Sequence, residues 1–343
     1  MKLTFDDISI VPKYSEVTSR SLCDTSTKIG DIELKTPLIA SPMDTVCGHV
    51  MARRMDELGG IGILHRFNSV EDNIDNGLWL EGANFHEGEH QYGLAVGVTY
   101  PEGIKMTLKE GYIHGHLSPT LVCIDVAHGH HKMVKDTIAL IKDIDEDIHV
   151  MAGSICTASA AADLESWGAD SLRVGIGNGS MCETRIRAGV GIPQVNAIIE
   201  CRKETSISII SDGGCRTTGD VAKAIAMGAD AVMIGSLFAG TKETPGHIQK
   251  MGQWPNEQLY KKYQGSASLR SKIARGEINN VEGNSRIIPY KGKVKRIVND
   301  INDGLRSAMS YVGANNIKEL QKNASFVQVS QAGLVEAQPH GLI

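Results

Sequence analysis

The sequence has no CxxC pair: its 7 cysteines stand singly at 23, 47, 123, 156, 182, 201 and 215. That spacing excludes a finger-type zinc site, and the odd number argues against a disulfide framework. Most of these thiols are expected as small apolar filler in a reducing compartment. No apolar run approaches the ~18 residues of a membrane span, and the opening "MKLTFDDISIVPKYS" has no apolar centre of a secretory signal. Charge of neither sign dominates: a net charge of −5 speaks against a general nucleic-acid binder. There is no low-complexity tract, and the β/α unit is the only internal repeat. These absences leave the expectation of a cytoplasmic chain with no membrane and no nucleic acid among its partners.

What is present is alternation. The 343 residues suit two ordinary domains or one large α/β barrel. Eight short apolar runs recur: 36–43, 60–65, 92–98, 120–127, 149–154, 171–177, 207–214 and 231–236. Between most of them lie helical patterns, such as "HKMVKDTIALIKDI" and "TTGDVAKAIAMGA". Continuously apolar strands separated by helices imply a parallel sheet covered on both faces. Eight such units predict a closed (β/α)8 TIM barrel, with an open doubly wound sheet as the alternative. The polar, glycine-bearing stretch after the eighth run predicts a flap over about residues 253–292 above the barrel mouth, before a closing helix at "VKRIVNDINDGLRSAMSYVG". The whole chain, 1–343, is expected as one catalytic barrel domain with no inserted regulatory domain.

Barrels carry their chemistry at the C-terminal strand ends. Here "SDGG" and "MIGS" end the seventh and eighth runs, where small residues let backbone amides approach phosphate oxygens. Ser180 and Ser236 add hydroxyl donors, and Asp212 suits a ribose diol; the plainer reading is two tight turns. In "GIGNGSMCETR" (175–185), Cys182 sits in a glycine-rich loop where it can serve as nucleophile, metal ligand or filler. Thr184, two residues on, can relay a proton, and the glycines can turn carbonyls toward a hard cation. "DVAHGHHK" offers Asp125 as a polar contact to substrate or cofactor; His128, His130 and His131 lack metal-ligand spacing and are expected mostly in solvent. Glu282 stands out as a carboxylate that a closing flap can deliver.

Taken in order, "LTFDDISIVP", "SPMDTV", "IDVAHGHH", "GIGNGSMCET", "SDGGCRTTGDVAKA", "VMIGSLFAGTKETPG" and "EGNSRIIPYKG" resemble the IMP dehydrogenase/GMP reductase family over nearly the whole chain. The resemblance implies a homotetrameric barrel that binds a purine nucleoside monophosphate (GMP or IMP) and a nicotinamide cofactor. It implies that Cys182 attacks C2 of the purine to form a covalent thioimidate. By the same resemblance Ser180, Gly214, Gly235 and Ser236 hold the phosphate and Asp212 the ribose. Ser41, Met43, Gly265, Ser266 and Glu282 lie around the base. Asp125 and Ser154 face the cofactor, and Gly177, Gly179 and Cys182 offer backbone carbonyls to potassium.

The two branches differ in what must happen after the thioimidate forms. The dehydrogenase needs a base to activate water, typically an adjacent Arg-Tyr pair on the flap. Here that segment reads "LRSKIARGEINN", with Arg270 and Arg275 but no adjacent tyrosine, and it is shorter than the dehydrogenase flap. "YQGSAS…NNVEG" resembles one reductase subgroup, and no regulatory insert separates "GILHRF" from "YGLAVGV". The expectation is therefore an NADPH-dependent GMP reductase with Cys182, Thr184 and Glu282 as its catalytic residues. The alternatives are a dehydrogenase without its regulatory domain, which "SPMDTV" and "SRIIPYKG" fit equally well, and a non-catalytic nucleotide-binding barrel. Three positions depart from the family pattern: Asn178 replaces a proline, Glu183 puts a charge beside the nucleophile, and Ser154 stands where an asparagine is common.

Overall fold

The computed structural model describes residues 2–82, 91–113, 119–253 and 255–338. Eight parallel strands close into a barrel, each neighbouring the next in sequence and the last pairing with the first. They are β1 (Leu38–Ala40), β2 (Ile61–Leu64), β3 (Tyr92–Val96), β4 (Leu121–Asp125), β5 (His149–Ile155), β6 (Ser171–Val174), β7 (Ser208–Asp212) and β8 (Ala231–Ile234). All eight apolar runs became strands, seven of them shorter than the run and the fifth one residue longer, and the closed sheet excludes the doubly wound alternative. Continuous apolarity has its cause here: β2, β3, β6 and β8 are buried at every position, lying between the barrel interior and the helical ring.

Some of the helices start at side-chain caps that the sequence supplies. Those wrapping the barrel are α1 (His49–Glu57), α2 (Val70–Gly82), α3 (Pro101–Ile113), α4 (Lys132–Ile144) and α5 (Ala158–Ser166). A short α6 (Thr184–Arg187), α7 (Gln194–Lys203) and α8 (Thr218–Ala226) follow. Thr217 and Asp220 form a reciprocal capping box at α8, and the Thr157 side chain caps α5. Each cap fixes where a strand-end loop stops and so how long it is. One core cluster lies between strands and helices; a second fills the barrel and includes Ile39, Ile61, Cys123, Met151 and Met233. The antiparallel hairpin of Thr27–Ile29 and Ile32–Leu34 adds Ile29, Ile32 and Leu34 to that second cluster and so plugs the N-terminal end.

Beyond β8 the chain leaves the barrel as a three-stranded antiparallel sheet of β9 (Gln249–Met251), β10 (Gln258–Gln264) and β11 (Ser285–Pro289). A one-and-a-half-turn helix, α9 (Leu269–Ala274), lies between β10 and β11. This extension begins four residues before the expected 253–292 stretch, of which Trp254 lies outside the described residues. Helix α10 (Val294–Tyr311) then packs on α8 through Val294, Val298, Ile301, Leu305 and Met309, a stripe at helical spacing. Among the described residues no helix is long and apolar enough to cross a membrane.

Candidate active site

The loop after β6 is possible only because of glycine. A Cβ at Gly175 would lie 2.0 Å from the Asp212 carbonyl oxygen, at a φ of +150° that side-chain-bearing residues rarely adopt. This close passage carries the chain over the end of β7, and the loop turns back to place half-buried Cys182 above the barrel. The replacement of proline by asparagine at 178 now has a structural account. The Asn178 amide donates to Gln194 Oε1 and its carbonyl oxygen accepts from Arg185, so a polar clasp holds the turn that a rigid ring holds elsewhere. Glu183 ion-pairs with Arg187 one turn along α6, at 3.0 Å, which turns its charge away from the thiol.

The thiol belongs to a chain of contacts. Cys182 Sγ lies 3.1 Å from Thr184 Oγ1, and that hydroxyl donates to Glu282 Oε2 at 2.8 Å. Main-chain bonds fix this geometry: the Glu183 N–H donates to the Glu282 carbonyl at 2.7 Å, and the Asn284 N–H to the Met181 carbonyl at 2.9 Å. Isolated β-bridges join Gly283 to Cys182 on one side and to Ser268 on the other. Segments about a hundred residues apart are thus sewn into one ribbon. A thiol, a hydroxyl and a carboxylate in series form a path along which a proton can move.

Around this ribbon lies a cavity of about 690 Å³ whose walls contain every site residue expected from the sequence. Ser41 and Met43 follow β1, Asp125 ends β4, Ser154 lies in β5, and Gly177, Gly179 and Ser180 belong to the loop after β6. Asp212 and Gly214 lie at the end of β7, Gly235 and Ser236 after β8, and Gly265, Ser266 and Glu282 in the extension. The neighbouring histidines stay outside: His130 pairs with Asp163 at 2.7 Å, and His131 caps α4. Among the described residues no group of His, Cys, Asp and Glu is arranged to hold a metal.

Sequence reasoning missed two side chains. Buried Tyr263 on β10 shares a hydrogen bond of 3.1 Å with Ser180, and burial pushes its phenol up to about 12, so it stays protonated at neutral pH. The alternation in "YKKYQ" that turns Lys261 and Tyr263 inward was the available signal. The other is Arg173, 4% exposed in the middle of β6. Its guanidinium donates to Asp125 Oδ1 at 2.7 Å and to Ser154 Oγ at 3.0 Å, and its Nε lies 3.5 Å from Asp212 Oδ2. Burial pushes the Asp212 carboxyl up, Arg173 pulls it down and Asp125 pushes it up again, leaving it above the ordinary value. A single arginine inside a strand of apolar residues gives no local sign of a charged floor beneath it.

A family model described as IMP dehydrogenase / GMP reductase domain matches residues 2–340. The chain is 35% identical to the inosine-5'-monophosphate dehydrogenase of Cryptosporidium parvum over 390 aligned residues, covering 98% of this chain and 94% of that one. It is 37% identical to the GMP reductase of Bacillus subtilis (strain 168) over 331, covering 96% of each. The GMP reductase of Lactococcus lactis subsp. lactis is 36% identical over 325, covering 93% of this chain and 92% of its own. Both names occur at similar identity and at nearly full length. The chain therefore belongs to the IMP dehydrogenase / GMP reductase family, oxidoreductases that act on purine nucleoside monophosphates with a nicotinamide cofactor.

Proposed function

We propose that the protein is an NADPH-dependent GMP reductase: GMP + NADPH + H⁺ → IMP + NADP⁺ + NH₃. The observation that carries this reading is the Cys182–Thr184–Glu282 series, because a neutral amine is a poor leaving group and must be protonated as it departs. GMP seats its phosphate against Ser180, Gly214, Gly235, Ser236 and Tyr263, its ribose on Asp212, and its base between Ser41, Met43, Gly265 and Ser266. Cys182 sulfur bonds to C2 as its proton passes through Thr184 to Glu282. Glu282 then delivers a proton through Thr184 to the exocyclic nitrogen, the C2–N bond breaks, and ammonia leaves a thioimidate. When bound, the nicotinamide cofactor supplies a hydride to C2; the C–S bond then breaks, which frees IMP and the Cys182 thiolate.

The cavity's donor set fits that cofactor. Asp125 suits its ribose hydroxyls, and the guanidiniums of Arg66 and Arg275 in the cavity wall suit its phosphates. Ser154, already accepting from Arg173, lies on the same side. Potassium fits less well. Gly177, Gly179 and Cys182 offer three carbonyls, of which that of Gly179 already accepts the Cys182 N–H at 3.0 Å. Hard cations take about six oxygens, so these residues alone do not complete a shell. A cytoplasmic homotetramer belongs to the same proposal and rests on the family resemblance.

Length supports the reductase over the dehydrogenase. Alignment with the C. parvum dehydrogenase takes 390 positions to cover 98% of this chain, whereas the B. subtilis reductase takes 331 for 96%. The dehydrogenase thus carries segments that this chain and the reductase both lack. The test is absorbance at about 340 nm in both directions. GMP-dependent loss of NADPH supports the proposal. NADH formation from IMP and NAD⁺ without GMP-dependent oxidation replaces it with the dehydrogenase, and purine nucleotide binding without turnover leaves a non-catalytic barrel.

A further inference from the structure

We propose that Arg173 is a positioning residue: one buried guanidinium, shared by Asp125 and Asp212, keeps the ribose-facing Asp212 charged and aimed, and ties it to the cofactor side of the cavity. This rests on the proposed assignment of Asp212 to the nucleotide ribose.

The two carboxylates end β4 and β7, with β5 and β6 between them, and face one cavity. Without a cation between them, neither would be held ionised out of water, since burial and like charge act in the same direction. Arg173 treats them differently. Its Nη1 is locked to Asp125 at 2.7 Å and its Nη2 to Ser154 at 3.0 Å, which fixes the plane of the guanidinium. Its Nε, 3.5 Å from Asp212, is buried and has no hydrogen-bond partner. Asp212 therefore feels the charge without spending a lone pair on a tight bond, so both its oxygens stay open for the two O–H donors of a ribose diol.

Two neighbours make the sharing work. Arg66 Nε lies 3.4 Å from the other oxygen of Asp125, so that carboxylate does not depend on Arg173 alone. Gly153, paired with Arg173 across β5 and β6, leaves room for it: a Cβ there would come within 2.4 Å of the Arg173 carbonyl oxygen and 2.7 Å of its Cβ. The remaining titratable groups near Asp212 are neutral under working conditions: burial pushes Cys215 well up and Tyr263 to about 12. Cys123, nearer Arg173, is likewise raised by burial. Asp212 thus loses its charge, and its ability to accept from both ribose hydroxyls, as pH falls, and Arg173 sets where that happens.

The test is calorimetric titration with GMP between about pH 5.5 and about pH 8, without cofactor, on the full chain and three variants. Arg173→Gln is expected to weaken GMP binding about tenfold on the acid side of the affinity profile and to move its midpoint up by about one unit. The loss should shrink for 2′,3′-dideoxy-GMP, which has no diol. Arg173→Lys should recover most of the affinity. Asp125→Asn, which removes the like charge, should move the midpoint down. An Arg173→Gln profile that matches the parent overturns the proposal, as does equal loss of GMP and its dideoxy analogue. If Arg173→Gln fails to fold, an unshifted midpoint in Asp125→Asn overturns it. A parent protein that binds no purine monophosphate overturns the reading of the site and this inference with it, which separates the two failures.

Discussion

The two ends of the barrel are made from the same strands and follow opposite rules. At the N-terminal floor the polar groups are satisfied and the apolar ones interlock. Asp230 accepts from Arg202 at 2.6 Å and Lys318 at 3.0 Å, His149 bonds Ser171 at 2.8 Å, and the 27–34 hairpin drives Ile29, Ile32 and Leu34 into the core. At the mouth, Arg66, Arg173, Arg185 and Arg275 each leave a buried Nε without a hydrogen-bond partner. Three of them lie 3.4 to 3.6 Å from a carboxylate (Arg66 from Asp125, Arg173 from Asp212, Arg275 from Glu277), paired in charge without a hydrogen bond, and all four line the cavity that holds Cys182. Satisfied polar groups stabilise a fold, whereas unsatisfied ones are held ready for a ligand. The floor is where this chain gains stability, and the mouth is where it gives some up.

That contrast can be broken by substitutions at either end. The largest effect belongs to the mouth: Cys182→Ala should lower turnover by about 10⁴-fold or more while calorimetry still records GMP binding. Retained turnover would remove the covalent route. Next, Glu282→Gln and Thr184→Ala should each cost about 10²–10³ in kcat with little change in KM, as expected for proton transfer. A double variant no slower than either single one would show that the two act in series.

At the floor, Ile29→Ala should destabilise by about 2–4 kcal/mol in urea unfolding and leave kcat at 25 °C unchanged. A fall in kcat would erase the division between the ends. Tyr263→Phe should raise KM for GMP several-fold, about 1 kcal/mol, and do less to guanosine, which has no phosphate. The smallest effect concerns pH. Burial lowers the His149 pKa below its unfolded value, with Lys142 adding to the fall and Asp170 and Asp31 opposing it. The unfolded chain therefore takes up a proton first, and stability is lost as pH falls below about 6.5. His149→Gln should flatten that slope in denaturation midpoints measured between about pH 7 and about pH 5.

Legibility followed the same division. The strands could be read because burial on both faces forces unbroken apolar runs, and the helices because one buried face imposes helical spacing on the segments between them. The glycines, serines and cysteine at the strand ends stood out because they are out of place in a packing role, and the family resemblance added Ser41, Met43, Gly265 and Ser266; the fold brings all of them to one cavity. Their connections could not be read. Thr184 meets Glu282 across 98 positions and Ser180 meets Tyr263 across 83, distances at which local pattern carries no information. Arg173 passed unnoticed inside the run 171–177 because its partners Asp125 and Asp212 lie on other strands. Asn178 and Glu183, odd against the family pattern, became ordinary once their partners Arg185 and Arg187 were located.

The ribbon formed by the bridges from Gly283 to Cys182 and Ser268 has a consequence for how the chain can be altered. Cys182 belongs to the barrel, but Glu282, at the far end of its contact series, arrives on the excursion that runs from Gln249 to Pro289. That excursion leaves the scaffold after β8 and rejoins it before α10 as one uninterrupted piece. Exchanging it wholesale would swap the acid–base half of the chemistry together with Tyr263, Gly265 and Ser266, while Ser180, Asp212, Gly214, Gly235 and Ser236 stay with the barrel, which makes it a cassette in the engineer's sense.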